Sequence, residues 1–259
     1  WQNGAALPLP ATCGVCGSSI MHSRQVPIEP FPPECRFHHA GVGSTSRKFN
    51  GYAVLRLLLL ISNGTTKGVL PVEKRALGRT GLSIAPIVFG GNVFGWTADE
   101  NTSFQLLDAF FDSGFNTIDT ADVYSAWVPG HEGGESETII GKWLKRGSVS
   151  RDKAIIVSKV GYDKGLKALR IADAVDDSLR RLQTDYIDLY LAHKPDPETP
   201  IEETLGAFTK LKEQGKVRAI GCSNYDAPEL KAALDASEAT GLARFDVVQP
   251  EYNLYTRER

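Results

Sequence analysis

The sequence lacks an excess of either charge. Its 29 Lys and Arg residues are matched by 31 Asp and Glu residues among 259 positions, which gives a formal net charge of −2. It contains no basic stripe and no long run of like charges. These absences argue against nucleic acid or an acidic lipid surface as a partner. They favour a small neutral or anionic molecule instead.

Long apolar runs are also missing. The main apolar block outside the patterned part of the chain, residues 52–61, contains Arg56 and is well short of the roughly 20 residues that span a bilayer. It also lies far from the start of the chain and lacks a small-residue cleavage site, so it does not read as a signal peptide. We therefore predict no membrane association for a chain whose 42% hydrophobic content suffices for a large core.

Cysteine is scarce and unevenly placed. Cys13, Cys16 and Cys35 lie near the amino terminus, and Cys222 is the only cysteine in the rest of the chain. The main body therefore has no disulfide framework, which is typical of a cytoplasmic protein. With His38, the first three cysteines have the spacing of a zinc site, but the segment lacks the paired strands that present such ligands. We predict no metal site.

Residues 1–71 show no helical period, and Pro, Gly and Ser are scattered through them. The only methionine of the chain is Met21, and regular patterning begins abruptly near Val72. We expect residues 1–71 to be disordered or to be non-native sequence upstream of a non-standard start at Val72. Residues 72–259 are expected to form the folded domain.

From Val72 onwards, short apolar runs alternate with segments of helical period. A small hairpin over residues 75–84 is followed by six predicted strands, each separated from the next by one helix, at residues 86–89, 116–120, 154–159, 186–193, 217–224 and 245–249. The first of these is predicted to be a buried strand. Residues 199–202 and 226–229 have the pattern of capping boxes at helix starts. Single helices between strands indicate parallel pairing through right-handed crossovers.

Polar residues end five consecutive predicted strands: Asp119, Lys159, His193, Asn224 and Gln249. A closed barrel gathers all strand ends around one mouth, whereas an open sheet spreads them along an edge. No G-x-G-x-x-G follows the first strand, which argues against a Rossmann dinucleotide site. We therefore predict an α/β fold of the (β/α)8 TIM-barrel type, incomplete here, with about six of the eight β/α units.

Asp119 and Tyr124 are expected to share one pocket. The chain enters a loop after Asp119, so Tyr124 can fold back over the same strand end. At neutral pH neither group is useful alone, because a carboxyl pKa near 4 makes a poor acid and a phenol pKa near 10 holds the proton. A third group must tune them.

The motifs DTADVY, VSK, YIDLYLAH, GCSN and QPEYN occur in this order on successive predicted strands. This series resembles the aldo-keto reductases, in a bacterial-like branch, over about residues 73–259. It departs from them in lacking the last two strands of the family's barrel and the helices that follow. The resemblance implies an oxidoreductase that reduces aldehydes or ketones, or oxidises the alcohols, by hydride transfer from NADPH.

The resemblance also implies roles for individual residues. Tyr124 is the general acid, Lys159 is the ammonium that lowers the pKa of Tyr124, and Asp119 pairs with Lys159 and holds it. His193 orients the carbonyl and shares in proton donation.

For the cofactor, the resemblance implies that Ser223, Asn224 and Gln249 hold the nicotinamide carboxamide and that Asn92 touches the cofactor. Trp96 and Trp127 are candidates for lining the substrate pocket, with core packing as the alternative for Trp96. Cys222 is expected to be a small buried filler.

Two other functions stay open at this point. The first is a nicotinamide-nucleotide-binding regulatory subunit of the channel-associated type, against which His193 speaks. The second is a Schiff-base barrel enzyme with Lys159 as nucleophile, in which the spacing of Asp119 and Tyr124 has no special role. The reductase interpretation implies a small-molecule carbonyl substrate and indicates no oligomeric state.

We further expect the 259-residue chain to be a poor enzyme by itself. A barrel with six strands has two open edges, which favour aggregation. The loops after strands seven and eight, where barrels commonly bind phosphate, are also missing. Poor solubility, weak or undetectable NADPH binding and no turnover are the expected results.

Overall fold

The computed structural model describes residues 71–257. The predictions for the amino-terminal segment, for the apolar block at residues 52–61 and for Cys13, Cys16, Cys35 and His38 fall outside this part of the chain. Within it, no helix is long and apolar enough to cross a membrane.

A small hairpin opens the described chain, as predicted. Strands β1 (Arg75–Ala76) and β2 (Ser83–Ile84) pair antiparallel, and Leu77 N donates to Leu82 O at 2.8 Å to close the turn. The side chain of Asn116 anchors the hairpin: its Oδ1 accepts from Ala85 N and its Nδ2 donates to Ser83 O, both at 2.9 Å. The hairpin thus covers the amino-terminal end of the strands that follow.

Six parallel strands form the main sheet, in the same order in space as in sequence. They are β3 (Phe89–Gly90), β4 (Thr117–Asp119), β5 (Ile155–Val160), β6 (Ile187–Ala192), β7 (Val217–Ser223) and β8 (Val247–Gln249), and the helices between them are α1 (Glu100–Asp112), α2 (Glu135–Arg146), α3 (Ala168–Leu182), α4 (Ile201–Glu213) and α5 (Ala227–Thr240). Consecutive parallel neighbours joined by single helices are the pattern of a (β/α) barrel. The predicted fold, a barrel with six of its eight units, is confirmed.

The sheet buries two apolar layers. One lies between the strands and the helices, where Ile140, Trp143 and Ile171 are fully enclosed. The other lies on the inner side of the strands, where Leu82 of the hairpin packs against Val157 and Leu189. The hairpin therefore supplies part of the floor of the half-barrel.

The prediction of a buried strand at residues 86–89 is wrong. Only Phe89 and Gly90 pair with β4, and Ile87 and Val88 are 54% and 39% exposed. Within the described chain β3 is an edge strand with a neighbour on one side only. An apolar run at such an edge is not enclosed as it is in the centre of a sheet.

One of the two predicted capping boxes is also wrong. At α5, the Asp226 carboxylate accepts from Glu229 N and the Glu229 carboxylate accepts from Asp226 N, each at 2.8 Å, as predicted. At α4, Pro200 is the capping residue and has no side-chain bond. The helix begins at Ile201, one residue later than predicted, so Thr199 lies outside the capping position and its hydroxyl donates to Asp196 Oδ2 at 2.6 Å.

Candidate active site

The carboxyl ends of the strands form a mouth, and Asp119 lies at its centre as the last residue of β4. All of β4 is buried. After it the chain turns back through residues 120–126, where Ser125 has a positive φ of 73° and its hydroxyl donates to Phe94 O at 2.7 Å. This turn returns Tyr124 to the strand end, and its hydroxyl donates to Asp119 Oδ2 at 3.2 Å. The two residues share one pocket, as the sequence predicted.

Lys159, the fifth residue of β5, joins this pair from the neighbouring strand. Its side chain is almost fully buried. Its Nζ donates to Asp119 Oδ2 at 2.6 Å, to the Tyr124 hydroxyl at 2.9 Å and to the backbone carbonyl of Thr120 at 3.0 Å. An ammonium has three protons to donate, so all of them are satisfied. We call Asp119, Tyr124 and Lys159 the acid–phenol–ammonium cluster.

The pKa of Tyr124 corrects one prediction. Burial is the largest effect, followed by the charge of Asp119 and the hydrogen bond to it, and together they raise the pKa of Tyr124 well above its usual value. The predicted lowering of this pKa by Lys159 is not observed, since burial and Asp119 set the direction. Burial also lowers the pKa of Lys159, against the opposing effect of Asp119. As a result the phenol keeps its proton at neutral pH, which a proton donor must do.

His193 follows β6 directly and lies beside the cluster. Its ring centroid is 6.0 Å from that of Tyr124 and 4.8 Å from that of Tyr162. Burial first, then the charges of Lys159 and Lys194, lower the pKa of His193 to about 3. A neutral imidazole can donate one N–H hydrogen bond but has no extra proton to release. The ring can therefore orient a carbonyl, and the predicted share in proton donation is not supported.

Ser223, Asn224 and Gln249 line the neighbouring part of the mouth at the ends of β7 and β8. The Ser223 hydroxyl donates to Gln249 O at 2.9 Å. Asn224, with a positive φ of 62°, donates through Nδ2 to His193 O at 3.0 Å. Gln249 Nε2 donates to Asp119 Oδ1 at 3.1 Å, which ties this group to the cluster.

This arrangement leaves two amide oxygens available. Within residues 71–257, neither Asn224 Oδ1 nor Gln249 Oε1 accepts a hydrogen bond, because both side chains bond through their nitrogens. Two acceptors beside a buried ammonium suit a primary carboxamide, whose nitrogen has two protons to donate. The residues present therefore fit the nicotinamide end of a dinucleotide.

Asn92 is the one predicted site residue that stays apart. It lies exposed in a single 3-10 turn, Gly91–Val93, after β3. Because Gly90 pairs with Asp119 in the sheet register, Asn92 is on the side of the mouth. Among the described residues it makes no side-chain hydrogen bond to the other seven predicted site residues.

Aromatic side chains form one wall of the mouth. The rings of Trp96 and Trp127 meet edge to face at 5.8 Å, and Trp127 lies 6.1 Å from Tyr124. Both tryptophans are about half exposed, at 54% and 48%, so Trp96 is a rim residue and not a core residue. Sequence reasoning missed Tyr162, whose ring lies under Lys194 Nζ at 4.6 Å. Its position in the sequence could have identified it as a residue of the mouth, since Tyr162 closely follows β5.

Other candidates can be set aside. Cys222 is fully buried, and burial raises the pKa of its thiol to about 12. It is therefore inert and fills space, as predicted. Residues 71–257 contain no group of three or more side chains arranged to hold a metal ion.

Comparison with known proteins adds to the evidence from the geometry. Residues 86–259 match the Aldo/keto reductase family, which comprises oxidoreductases. Since this match covers more than half of the chain, the protein belongs to that family.

Individual relatives support the same assignment. The chain is 62% identical over 97 residues to an uncharacterized 11.2 kDa protein in the crtE 3' region of Pseudescherichia vulneris, a match that covers 38% of this chain and 92% of that protein. It is 38% identical over 199 residues to the aldo-keto reductase YhdN of Bacillus subtilis, covering 72% of this chain and 56% of YhdN. The crystal structure of the thermostable aldo-keto reductase Tm1743 with the inhibitor epalrestat aligns with a TM-score of 0.60 and 34% identity, covering 70% of this chain and 62% of that one. The chain thus spans a little over half the length of the two aldo-keto reductases.

Proposed function

We propose that this chain carries the catalytic mouth of an NADPH-dependent carbonyl reductase that reduces aldehydes or ketones, or oxidises the alcohols, with Tyr124 as general acid. One observation carries the proposal. Lys159 Nζ bonds to both Asp119 and the Tyr124 hydroxyl, at 2.6 Å and 2.9 Å, in a buried pocket at the strand ends. A phenol beside a fixed ammonium can give up its proton to a substrate because the phenolate that remains is stabilised at once.

Tyr124, His193 and Lys159 have different roles in the reduction of a carbonyl group. On substrate binding, the Tyr124 hydroxyl would turn its one proton from Asp119 Oδ2 to the carbonyl oxygen. An N–H of the neutral His193 ring would donate to the same oxygen, and the two donors would set the orientation of the substrate. The cofactor, when bound, supplies the hydride to the carbonyl carbon. As negative charge develops on oxygen, Tyr124 transfers its proton there, and Lys159 stabilises the phenolate. Donors that are fixed in advance need no reorganisation in the transition state.

Cofactor and substrate would occupy different sides of this mouth. Asn224 Oδ1 and Gln249 Oε1 would accept hydrogen bonds from the nicotinamide carboxamide, with Ser223 holding Gln249 in place. The edge-to-face wall of Trp96 and Trp127 would contact the apolar part of the substrate. The cysteine pattern of the chain leads us to place the enzyme in the cytoplasm.

Lys159 is poorly suited to form a Schiff base. An amine nucleophile needs a free lone pair, but the three protons of Lys159 are all donated to fixed acceptors, including a carboxylate at 2.6 Å. The geometry therefore favours the reductase over the Schiff-base enzyme.

The experiment uses two proteins. One is the 259-residue chain, for which NADPH binding is titrated by fluorescence. The other, called the chimera below, is this chain followed by the part of YhdN that lies beyond the matched region. NADPH oxidation is followed with a panel of aldehydes and ketones.

The expected result is carbonyl-dependent oxidation of NADPH by the chimera and weak or no binding by the shorter chain. A chimera that binds NADPH tightly and yet reduces no carbonyl in the panel would contradict the reductase. That outcome would favour the alternative, a nicotinamide-nucleotide-binding regulatory subunit of the channel-associated type. Tight NADPH binding by the 259-residue chain would instead contradict the expectation that six strands are too few.

A further inference from the structure

A small cavity lies behind the loop that carries Tyr124. Its volume is about 90 Å³, and it is enclosed by the loop after β4, the loop after β5 and α3. Two buried polar atoms that line this region, Asp122 Oδ1 and Arg170 Nε, have no hydrogen-bond partner among the described residues. The Asp122 side chain is only 8% exposed. A buried carboxylate with half of its acceptor capacity unused is costly to keep, so its presence needs a reason.

Asp122 connects the loop to two separate elements. Its Oδ2 accepts from Arg170 Nη2 of α3 at 2.9 Å. Its backbone N donates to the carbonyl oxygen of Lys159 at 3.1 Å. In sequence, Asp122 lies between Asp119 and Tyr124. Its backbone is bonded to β5, the strand that carries Lys159.

The charges around Asp122 come from every element packed against it. Glu137 of α2 is fully buried, and its carboxylate accepts from Ser158 Oγ at 2.6 Å and from Arg181 Nε at 2.7 Å. Arg170 and Arg181 approach from α3, Lys164 from the loop after β5, and Glu132 and Asp163 line the same cavity.

This environment disfavours the ionised carboxylate. Burial is the largest effect, the charge of Glu137 is the next, and the cations oppose both, with the result that the pKa of Asp122 rises to about 6. The unfolded chain has the ordinary carboxyl pKa near 4, so this group lowers stability above pH 6, and the penalty disappears as the pH falls below 6.

We propose that Asp122 is a positioning residue, whose ion pair with Arg170 holds residues 120–126 so that the Tyr124 hydroxyl stays in contact with Asp119 and Lys159. The ends of the loop have other anchors, since Thr120 N donates to Val157 O at 2.8 Å and the Ser125 hydroxyl donates to Phe94 O at 2.7 Å. The ion pair with Arg170 therefore fixes the stretch between these anchors, residues 121–124. A displacement of about 1 Å at a reacting group can cost about 10²-fold in rate. The catalytic meaning of this tether rests on the proposed function, but the tether itself does not.

The test measures hydrogen exchange of the backbone amides of residues 122–128 in the 259-residue chain. We expect Asp122→Ala and Arg170→Gln each to speed this exchange about tenfold, because the first removes the acceptor of Arg170 and the second leaves a buried carboxylate without its cation. Asp177→Asn is the control, since Asp177 pairs with Arg180 on the exposed face of the same helix. It should leave exchange in the loop unchanged.

The unmodified chain provides a measurement that needs no variant. After correction for the chemical exchange rate, exchange in the loop should slow as the pH falls from 7.5 to 5, because opening returns the carboxyl from a pKa of about 6 to its ordinary value near 4. Asp122→Ala should remove this response. A conservative variant separates the contact from the charge: at pH 8, Asp122→Asn keeps an acceptor for Arg170 without the buried charge, so exchange in its loop should be no faster than in the unmodified chain.

In the chimera, Asp122→Ala should lower kcat with KM nearly unchanged, and Asp122→Asn should restore kcat. If loop exchange is the same in Asp122→Ala and Arg170→Gln as in the unmodified chain, or if the unmodified chain shows no pH response, the positioning role is refuted. If the loop responds as expected and the chimera reduces no carbonyl, the tether stands and the proposed function fails.

Discussion

Two buried carboxylates, at opposite ends of the same sheet, show how differently this fold uses the same functional group. Asp119 lies at the mouth, where it accepts from Lys159, Tyr124 and Gln249. Asp188 lies near the start of β6. Its oxygens accept from Arg151 at 2.8 Å, from Ile156 N at 3.0 Å and from Arg218 at 2.7 Å. Each carboxylate is buried, and each has three partners.

The partners decide what each carboxylate can do. Arginine and a backbone amide keep their protons at any ordinary pH, so the Asp188 group is a fixed tie between strands. Arg151 extends this tie, because it also donates to Tyr186 O at 2.8 Å and to Ala154 O at 2.6 Å. Lysine and tyrosine, in contrast, can both change their protonation state. In barrels of this type the carboxyl ends of the strands carry chemistry and the amino ends carry stability.

The largest effect is expected at Tyr124, and Tyr186 at the opposite end of the sheet serves as the comparison. In the chimera, Tyr124→Phe should reduce turnover by about 10²–10⁴-fold, the usual range for loss of a general acid, with cofactor binding nearly intact. Tyr186→Phe is the matched control, since Tyr186 lies at the other end of the sheet with the guanidinium of Arg151 4.0 Å from its ring. Equal turnover in both variants would remove Tyr124 from the mechanism.

The next largest effect is a loss of stability when the Asp188 carboxylate, at the amino ends of the strands, is removed. Asp188→Ala should cost about 3 kcal/mol in free energy of unfolding, because it leaves Arg151, Arg218 and a buried amide without their acceptor. Urea unfolding measures the loss. Asp176→Ala, which breaks a more exposed pair with Lys216, should cost under about 1 kcal/mol. A small loss at Asp188 would mean that its partners rehydrate easily and that the amino end is not a stabilising network.

Lys159→Met should reduce turnover of the chimera by about 10²-fold, the lower end of the general-acid range, because the phenolate then has no cation beside it. Without that cation, the pH dependence attributed to Tyr124 should also move to higher pH. A pH–rate profile checks both. A profile that does not move would show that another group tunes the phenol.

The smallest effect, counted per pH unit, is a difference in the pH dependence of stability at His193. Because the folded protein holds the pKa of His193 near 3 and the unfolded chain has a value near 6.5, only the unfolded chain takes up this proton as the pH falls below 6.5. This group should therefore destabilise the fold by up to about 1.4 kcal/mol per pH unit between pH 6.5 and 4. His193→Gln should have a shallower loss of stability with acid than His131→Gln. Identical slopes would mean that His193 is protonated in the folded state.

The sequence predicted the positions of the residues at the mouth better than their surroundings. Asp119, Lys159 and Gln249 each end a strand, and since parallel strands place their ends together, local patterns were enough to place them. The sequence did not predict properties that depend on which other elements pack against a residue. The burial of Ile87 depends on which strand lies beside β3. The role of Thr199 depends on where α4 begins and on the Asp196 carboxylate, to which its hydroxyl donates.

Protonation was the least predictable property. The resemblance implied a cation that lowers the pKa of Tyr124, but the direction in the structure follows from burial and from the shared Asp119. The tether between Asp122 and Arg170 likewise joins residues 48 positions apart and leaves no local pattern.

The central claim is that the mouth transfers hydride to a carbonyl carbon and a proton from Tyr124 to its oxygen. The most direct measurement supplies the chimera with NADPH that carries two deuterium atoms at C4 of the nicotinamide and analyses the alcohol by mass spectrometry. We expect an alcohol with one deuterium bound to the former carbonyl carbon, formed at least about 10²-fold more slowly by Tyr124→Phe. An alcohol without deuterium, or one formed equally fast by the variant, would contradict the claim.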